Sequence, residues 1–318
     1  MNLNKWLENV TSAAIVGHVR PDGDCVGSCL GLYNYLKENF ELDVDVYLEP
    51  FSEPLKFMSG SEKVQTESTE NKRYDLCFAL DSGDENRIGA GKRYFETAKK
   101  KLCVDHHATN KGYGDENLIC PEISSTAEVL VGLMEKDKIS KATAECLYTG
   151  IVHDTGVFQY SNVSPNTLRI AADLLEKEID ASAIISNTFI EKTYKQNRVL
   201  GFALSNSVLF MDNKCIFSII RETDMQRFEV TSLDLEGIVA HLRDTSGVEC
   251  AIFLYQTNAE EFKVSLRSKS IVDVGKIAAY YGGGGHARAA GCTLNGSARD
   301  MINNISRLVE AQLKEQEL

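Results

Sequence analysis

No run of 18 or more apolar residues occurs in the 318-residue chain, which excludes a membrane-spanning helix. The opening residues, MNLNKWLENVTS, lack the basic start and apolar stretch of a secretory signal peptide, and twin-arginine and lipidation signals are missing too. A cytoplasmic protein is therefore expected. Positive charge is scarce, with 34 Lys and Arg against 46 Asp and Glu and a net charge of −12. A surface that tracks long DNA or RNA normally carries the opposite balance, which argues against a processive nucleic-acid binder. Small phosphorylated ligands are not excluded, because a few cations or metal ions reverse a local field. The nine cysteines form no CxxC pair and are odd in number, which predicts reduced, buried thiols and argues against a structural zinc site. Internal repeats and low-complexity blocks are absent as well.

What is present is ordinary globular composition, 43% apolar and 25% charged, in a chain long enough for two domains. The spacing predicts an α/β fold. Apolar strand candidates at residues 12–18, 44–48, 76–81 and 101–105 alternate with helical patterns such as residues 25–40, and strands separated by helices argue for a parallel sheet. Ser125 with Glu128, and Ser164 followed by Pro165, read as helix starts. Residues 181–207 have helical periodicity and read as a connector. Beyond them, strand candidates at residues 208–210, 215–220, 249–255 and 262–268, a helix near 235–243 and an amphipathic helix from Ser297 suggest a smaller α/β domain with a mixed sheet. The expected division is 1–185, a connector 186–207, and 208–318.

Acidic and histidine residues cluster at the ends of these elements. His18 is followed by Asp22-Gly23-Asp24, where the glycine permits a bend and the small residues of Cys25-Val-Gly-Ser-Cys let the following helix start approach an anion. Asp81 ends LCFALD, Asp105-His106-His107 ends KLCVD, and Asp154 lies in GIVHDTG. In an open parallel sheet, ligands sit outside the carboxyl ends of the strands, so strand-terminal Asp and His residues would converge there. Several carboxylates in one crevice repel, and two divalent cations remove the conflict. A mixed Asp/His set suits manganese, with magnesium, cobalt and iron as alternatives. A pair of ions activates water and neutralises phosphoryl oxygens. Asp81 is the natural carboxylate to bridge them. In the second half, Gly282 to Gly285 precede His286, Arg288 follows, and Arg267 stands near a strand end. Glycine amides can present N–H groups to an anion, and Arg267 can fork onto a phosphate.

Each residue taken singly has a bland account: a turn at Asp22-Gly23-Asp24, helix caps at Asp81 and Asp154, a loop at the glycines, a solvated Arg288. Together they do not. GHVRPDGDCVGS, ALDSGDENRIG, VDHH, GIVHDTG and GGGGHARAAG resemble, in order, the motifs of the DHH phosphoesterase superfamily with its DHHA1 domain, over residues 11 to 295 or so. The length is similar to the stand-alone oligoribonuclease and pAp-phosphatase branch. The resemblance implies a two-manganese hydrolase. His18, Asp22 and Asp81 would hold one ion, and Asp24, Asp81, His106 and Asp154 the other. His107 would face the substrate phosphate, with Asp105 and Asp81 also catalytic. Arg267, Gly283, Gly284, Gly285, His286 and Arg288 would grip the far end of the substrate. The expected substrates are short RNA oligonucleotides or small phosphorylated nucleotides, with no long nucleic acid and no membrane, and a homodimer is allowed. A cyclic di-AMP phosphodiesterase is the alternative, and a non-catalytic nucleotide sensor the second. Two local departures are Cys25, where the family often has alanine, and His153, which could support a metal ligand from behind.

Overall fold

The structure, a computed structural model, describes residues 3–68 and 71–315. The chain forms two units that divide between Glu191 and Lys192. In the first, β1 (Ser12–Val16), β2 (Asp43–Tyr47), β3 (Leu76–Leu80), β4 (Lys100–Asp105) and β5 (Glu116–Ile119) form one parallel sheet in the order β2-β1-β3-β4-β5. The period of two in a strand sends alternate residues to opposite faces. Ala13, Ile15, Phe78, Leu80, Leu102 and Val104 enter a large core, and Ala14, Val16, Cys77 and Ala79 a smaller one with Tyr74, Tyr94 and Phe95. A sheet buried on both faces requires strands with little polarity, and LCFAL is buried throughout. The strand order reverses between β1 and β3, which opens a crevice at their carboxyl ends.

The large core is closed by helices Gly23–Asn39, Thr126–Val131 and Lys141–Asp154. Glycines of the first helix serve this contact. A Cβ on Gly27 would lie 2.5 Å from the Cys146 carbonyl oxygen, and one on Gly31 2.7 Å from Leu147. Asp154 corrects the strand-end expectation, because it is the last residue of a helix. Ser125 caps its helix, accepting from the Glu128 amide at 3.1 Å, but the box is one-sided: Glu128 instead accepts from Ser124 Oγ at 2.6 Å. The Ser164 cap with Pro165 behind it is formed as expected.

The stretch 181–207 is not one connector body. Helix Ala181–Ile185 and the π-helix Ser186–Ile190 belong to the first unit. Helix Tyr194–Ser205 belongs to the second, with Val199 and Ala203 in its core. That unit has a mixed sheet of β6 (Val208–Phe210), β7 (Cys215–Ile220), β8 (Cys250–Asn258), β9 (Glu261–Ser268), β10 (Gly284–His286) and β11 (Ala289–Asn295), ordered β10-β11-β9-β8-β7-β6. Only β7 and β8 are parallel. Helix Ala298–Glu315 lays Met301, Ile302, Ile305, Val309 and Leu313 on one face of the sheet. Helices Tyr194–Ser205 and Ile238–Arg243 pack on the other face of β7 and β8. Among the described residues no helix is long and apolar enough to cross a membrane, and all nine cysteines are free, eight of them buried.

Glu249 locks the loop behind the β10–β11 hairpin. Its buried carboxylate accepts from the amides of Ser270, Ile271 and Val272 at 3.0, 2.6 and 3.0 Å. Burial would raise its pKa, but these bonds outweigh burial and hold it below the ordinary glutamate value. A depressed folded-state pKa contributes stability that is present above the unfolded value near 4.3 and is lost as pH falls below it. Glu249→Gln is expected to destabilise the second unit by about 1–3 kcal/mol at neutral pH. The deficit should shrink below about pH 4. Urea unfolding at the two pH values checks both statements.

Candidate active site

The carboxyl ends of β1, β3 and β4 carry the acids and histidines, and the chain that follows each strand fixes their atoms. His18 lies two residues beyond β1 and pairs with Ile88 in an isolated bridge. Its Nδ1 is 2.9 Å from the Val19 carbonyl oxygen. A carbonyl only accepts, so Nδ1 carries a proton, and Nε2 is the atom the ring would offer a metal once its own proton is lost. Nε2 points between Asp81 Oδ2 at 3.5 Å and Asp22 Oδ1 at 3.7 Å. Asp22 caps helix Gly23–Asn39, its Oδ1 accepting from the amides of Asp24 and Cys25 at 3.1 Å each. The glycine between the two aspartates is required for space and not for bending. A Cβ on Gly23 would sit 2.2 Å from His153 Cγ. His153 therefore supports the turn from behind, and its Nε2 reaches Thr188 Oγ1 at 2.9 Å.

Asp24 is fully buried and caps a different helix. Oδ2 accepts from the Thr126 amide at 2.7 Å, and Oδ1 from the Ala127 amide at 3.0 Å and Ser28 Oγ at 3.2 Å. Gly150 permits this approach, since a Cβ there would meet Asp24 Oδ1 at 2.7 Å. Asp81 follows β3 with φ +54°, a left-handed backbone that Asp tolerates better than most residues. Such strain persists where the surroundings over-determine it. Here Thr126 Oγ1 donates to Asp81 Oδ1 at 3.0 Å, and Asp81 lies 3.5–3.6 Å from nitrogens of His18, His106 and His107. Thr126 was missed in the sequence, where it reads only as the start of a helix.

His106 Nε2 is 3.0 Å from Asp154 Oδ2 and 3.6 Å from Asp81 Oδ1. His107 turns the other way, with Nδ1 2.7 Å from Asp105 Oδ1. Asp105 is fully buried. Oδ1 also accepts from the amides of His106 and His107 at 2.7 and 3.0 Å, and Oδ2 from Asn110 Nδ2 at 2.6 Å. It orients the His107 imidazole and holds the backbone of the turn that carries both histidines. The donor atoms fall into three overlapping groups, each within 4.8 Å: Asp24, His106 and Asp154; His18, Cys25 and Asp81; and Asp81, Asp105, His106 and His107. The Asp22 side chain is 61% exposed and that of Asp81 2%, so the cluster opens to solvent beside Asp22 and is closed beneath Asp81.

The electrostatics of the cluster are unbalanced. Burial raises Asp24, and Asp81 and Asp154 raise it further. Burial also raises Asp81 against the pull of the His18 hydrogen bond. Burial would lower His106, but Asp154, Asp24 and Asp81 outweigh it and push the ring up to about 10. Asp22 is held down to about 2: partial desolvation by the surrounding groups would raise it, but the hydrogen bond with His18 outweighs that. Protons thus hold the carboxylates together where divalent cations would do it better. Carboxylate oxygens and the imidazole nitrogens that face them, with the second ring nitrogen of His18 held on a carbonyl, fit a divalent transition metal.

In the second unit, the register brings two of the expected residues, Arg267 and His286, into one row. Arg267 on β9 pairs with Ala289 on β11, which pairs with His286 on β10. Paired residues share a face. Arg267 and His286 therefore flank a notch about 10 Å wide floored by Ala289, given the strand spacing. The adjacent row, Ser265, Gly291 and Gly284, is as small. The glycine run is not a free cradle throughout. The Gly283 amide donates to the Ala278 carbonyl at 2.8 Å, and a Cβ there would lie 2.2 Å from the Gly291 oxygen. A Cβ on Gly285 would meet the Ala289 oxygen at 2.5 Å, whereas one on Gly284 would meet nothing. Arg288 is in the hairpin turn and donates to the Val272 carbonyl at 2.9 Å, tying the turn to the loop that Glu249 holds.

Comparison with known proteins agrees with this layout. The model of the DHH family, N-terminal domain, matches residues 12–151, and that of the DHHA1 domain residues 212–315. The bifunctional oligoribonuclease and PAP phosphatase NrnA of Thermus thermophilus is 31% identical over 309 residues, 95% of this chain and 89% of the relative. Its namesake from Bacillus subtilis is 29% identical over 283 residues, 87% of each. The crystal structure of an exopolyphosphatase-related protein from Bacteroides fragilis superposes with a TM-score of 0.90 at 29% identity, covering 97% of this chain and 94% of that one.

Proposed function

The chain belongs to the DHH family, carries a DHHA1 domain and is a phosphoesterase; from that premise we propose that it hydrolyses short oligoribonucleotides and 3′-phosphoadenosine 5′-phosphate using two manganese ions. The observation that carries the reading is the position of Asp81. One oxygen faces His18 and the other faces His106 and His107, so this carboxylate would be the one available to both cations. His18, Asp22 and Asp81 would hold one ion, and Asp24, Asp81, His106 and Asp154 the other. When bound, the pair supplies Lewis acidity toward the phosphoryl oxygens and a water acidic enough to attack at neutral pH.

The remaining work falls to side chains. His107, aimed by Asp105, would donate to a phosphoryl oxygen, where charge builds in the transition state. Thr126 would keep Asp81 from rotating. Arg267 and His286 would take the far phosphate or base of the substrate, with Ala289 leaving room between them. The names of the relatives from Thermus thermophilus and Bacillus subtilis support this substrate class. A panel of dinucleotide, 3′-phosphoadenosine 5′-phosphate and cyclic di-AMP, assayed after chelation and again with manganese restored, tests it. The expected result is no turnover after chelation and recovery on the first two substrates. Recovery on cyclic di-AMP alone would replace the substrate assignment. Binding of any of the three without turnover would make the protein a sensor.

A further inference from the structure

The His18 side of the metal cluster contains a donor that the proposed ligand set leaves out. Cys25 is the third residue of helix Gly23–Asn39 and is fully buried. Its Sγ, a ring nitrogen of His18 and a carboxylate oxygen of Asp81 all lie within 4.8 Å of one another. The placement is tightly constrained. A Cβ on Gly17 would lie 2.4 Å from Cys25 Sγ, so the glycine after β1 is what lets the sulfur sit over the end of that strand. Nε2 is the ring nitrogen of His18 left for the cluster, because Nδ1 is committed to the Val19 carbonyl. An imidazole nitrogen, a carboxylate oxygen and a sulfur converging from two strand ends and a helix start make a three-donor set of mixed softness.

Resting on the reading of this cluster as a metal centre, we propose that Cys25 is a thiolate ligand of the ion at His18 and Asp81, and that it raises this position's affinity for cobalt, iron or zinc above what oxygen and nitrogen donors alone give, without barring the manganese of the proposed reaction. Softer sulfur ligation favours the later first-row metals, while an oxygen and nitrogen set alone is permissive. On binding, the metal–sulfur bond forms, the S–H bond breaks and the proton leaves to solvent. The other position, built from Asp24, His106 and Asp154, has no sulfur within its group. The two positions should therefore differ in metal preference.

Cobalt added to the chelated full-length protein provides the test, because its spectrum reports two things separately. Visible d–d bands report cobalt held by the cluster, and a near-ultraviolet sulfur-to-cobalt charge-transfer band reports a thiolate ligand. The expected result is both bands in the wild type. The charge-transfer band should be lost with d–d bands retained in Cys25→Ala and Cys25→Ser, and Cys29→Ala should keep both. Cobalt affinity in the Cys25 variants should fall roughly 10–100-fold, with manganese affinity changed much less. If the variants do not fold, cobalt-edge EXAFS of the wild type decides by the presence or absence of a sulfur scatterer. d–d bands without a charge-transfer band in the wild type, or a charge-transfer band that survives Cys25→Ala, would overturn the thiolate and leave the metal centre standing. No d–d bands at all would overturn both.

Discussion

Asp81→Ala is expected to lower kcat/KM on a dinucleotide by at least about three orders of magnitude, since losing a shared carboxylate forfeits several kcal/mol of charge stabilisation and each 1.4 kcal/mol is tenfold. Stability should move the other way. Asp81 is buried with a left-handed backbone and its carboxyl is pushed upward by burial and by Asp22 and Asp154. A charge in that position costs stability when no cation is bound. Asp81→Asn keeps the shape and tolerates the same φ. In chelator it should melt no lower than the wild type while being as inactive as Asp81→Ala with metal present. That pairing separates a functional residue from a structural one. Manganese-stimulated hydrolysis left intact in Asp81→Ala would dispose of the bridging assignment. An Asp81→Asn protein that melts several degrees lower would instead make the carboxylate part of the scaffold.

Much of this site could be read from the sequence because strands advertise their ends. LCFALD and KLCVD are short apolar runs terminated by an acid, and a parallel sheet aligns such ends on one edge. The places where the reading fell short are those that depend on packing between distant segments. Asp154 looks like the other acids but is delivered by a helix, and only the close fit of Gly27 and Gly150 against neighbouring backbone and Asp24 brings that helix to the crevice. Gly23 reads as a flexible turn, yet what it makes room for is His153, some 130 residues away. Thr126 has no signature, because a hydroxyl that steadies a remote carboxylate looks like any threonine at a helix start. In the second unit, Arg267 and His286 were identifiable by type. Their shared row needed the strand register, which a run of glycines specifies weakly.

Asp105 and His107 are the pair for which sequence and geometry suggest a division of labour. His107→Ala is expected to reduce kcat by about 10²–10³, the cost of one hydrogen-bond donor to developing charge. Manganese affinity should stay within a few-fold, because Nδ1 of His107 faces Asp105 at 2.7 Å and stands further, at 3.6 Å, from Asp81. His106→Ala should show the reverse priority, losing metal affinity first, since its Nε2 lies between Asp154 and Asp81. Asp105 would act through His107. Its Oδ1 accepts three N–H groups and its Oδ2 a fourth, an arrangement an amide cannot reproduce because one of its two heteroatoms is a donor. Asp105→Asn should therefore lower kcat with little change in KM. In the His107→Ala background it should cost little more, because the group it positions is already gone. Additive losses in the double variant would show that Asp105 contributes independently of His107, through the backbone of the Asp-His-His turn. A large fall in manganese affinity in His107→Ala would move that imidazole from the substrate side of the site to the metal side.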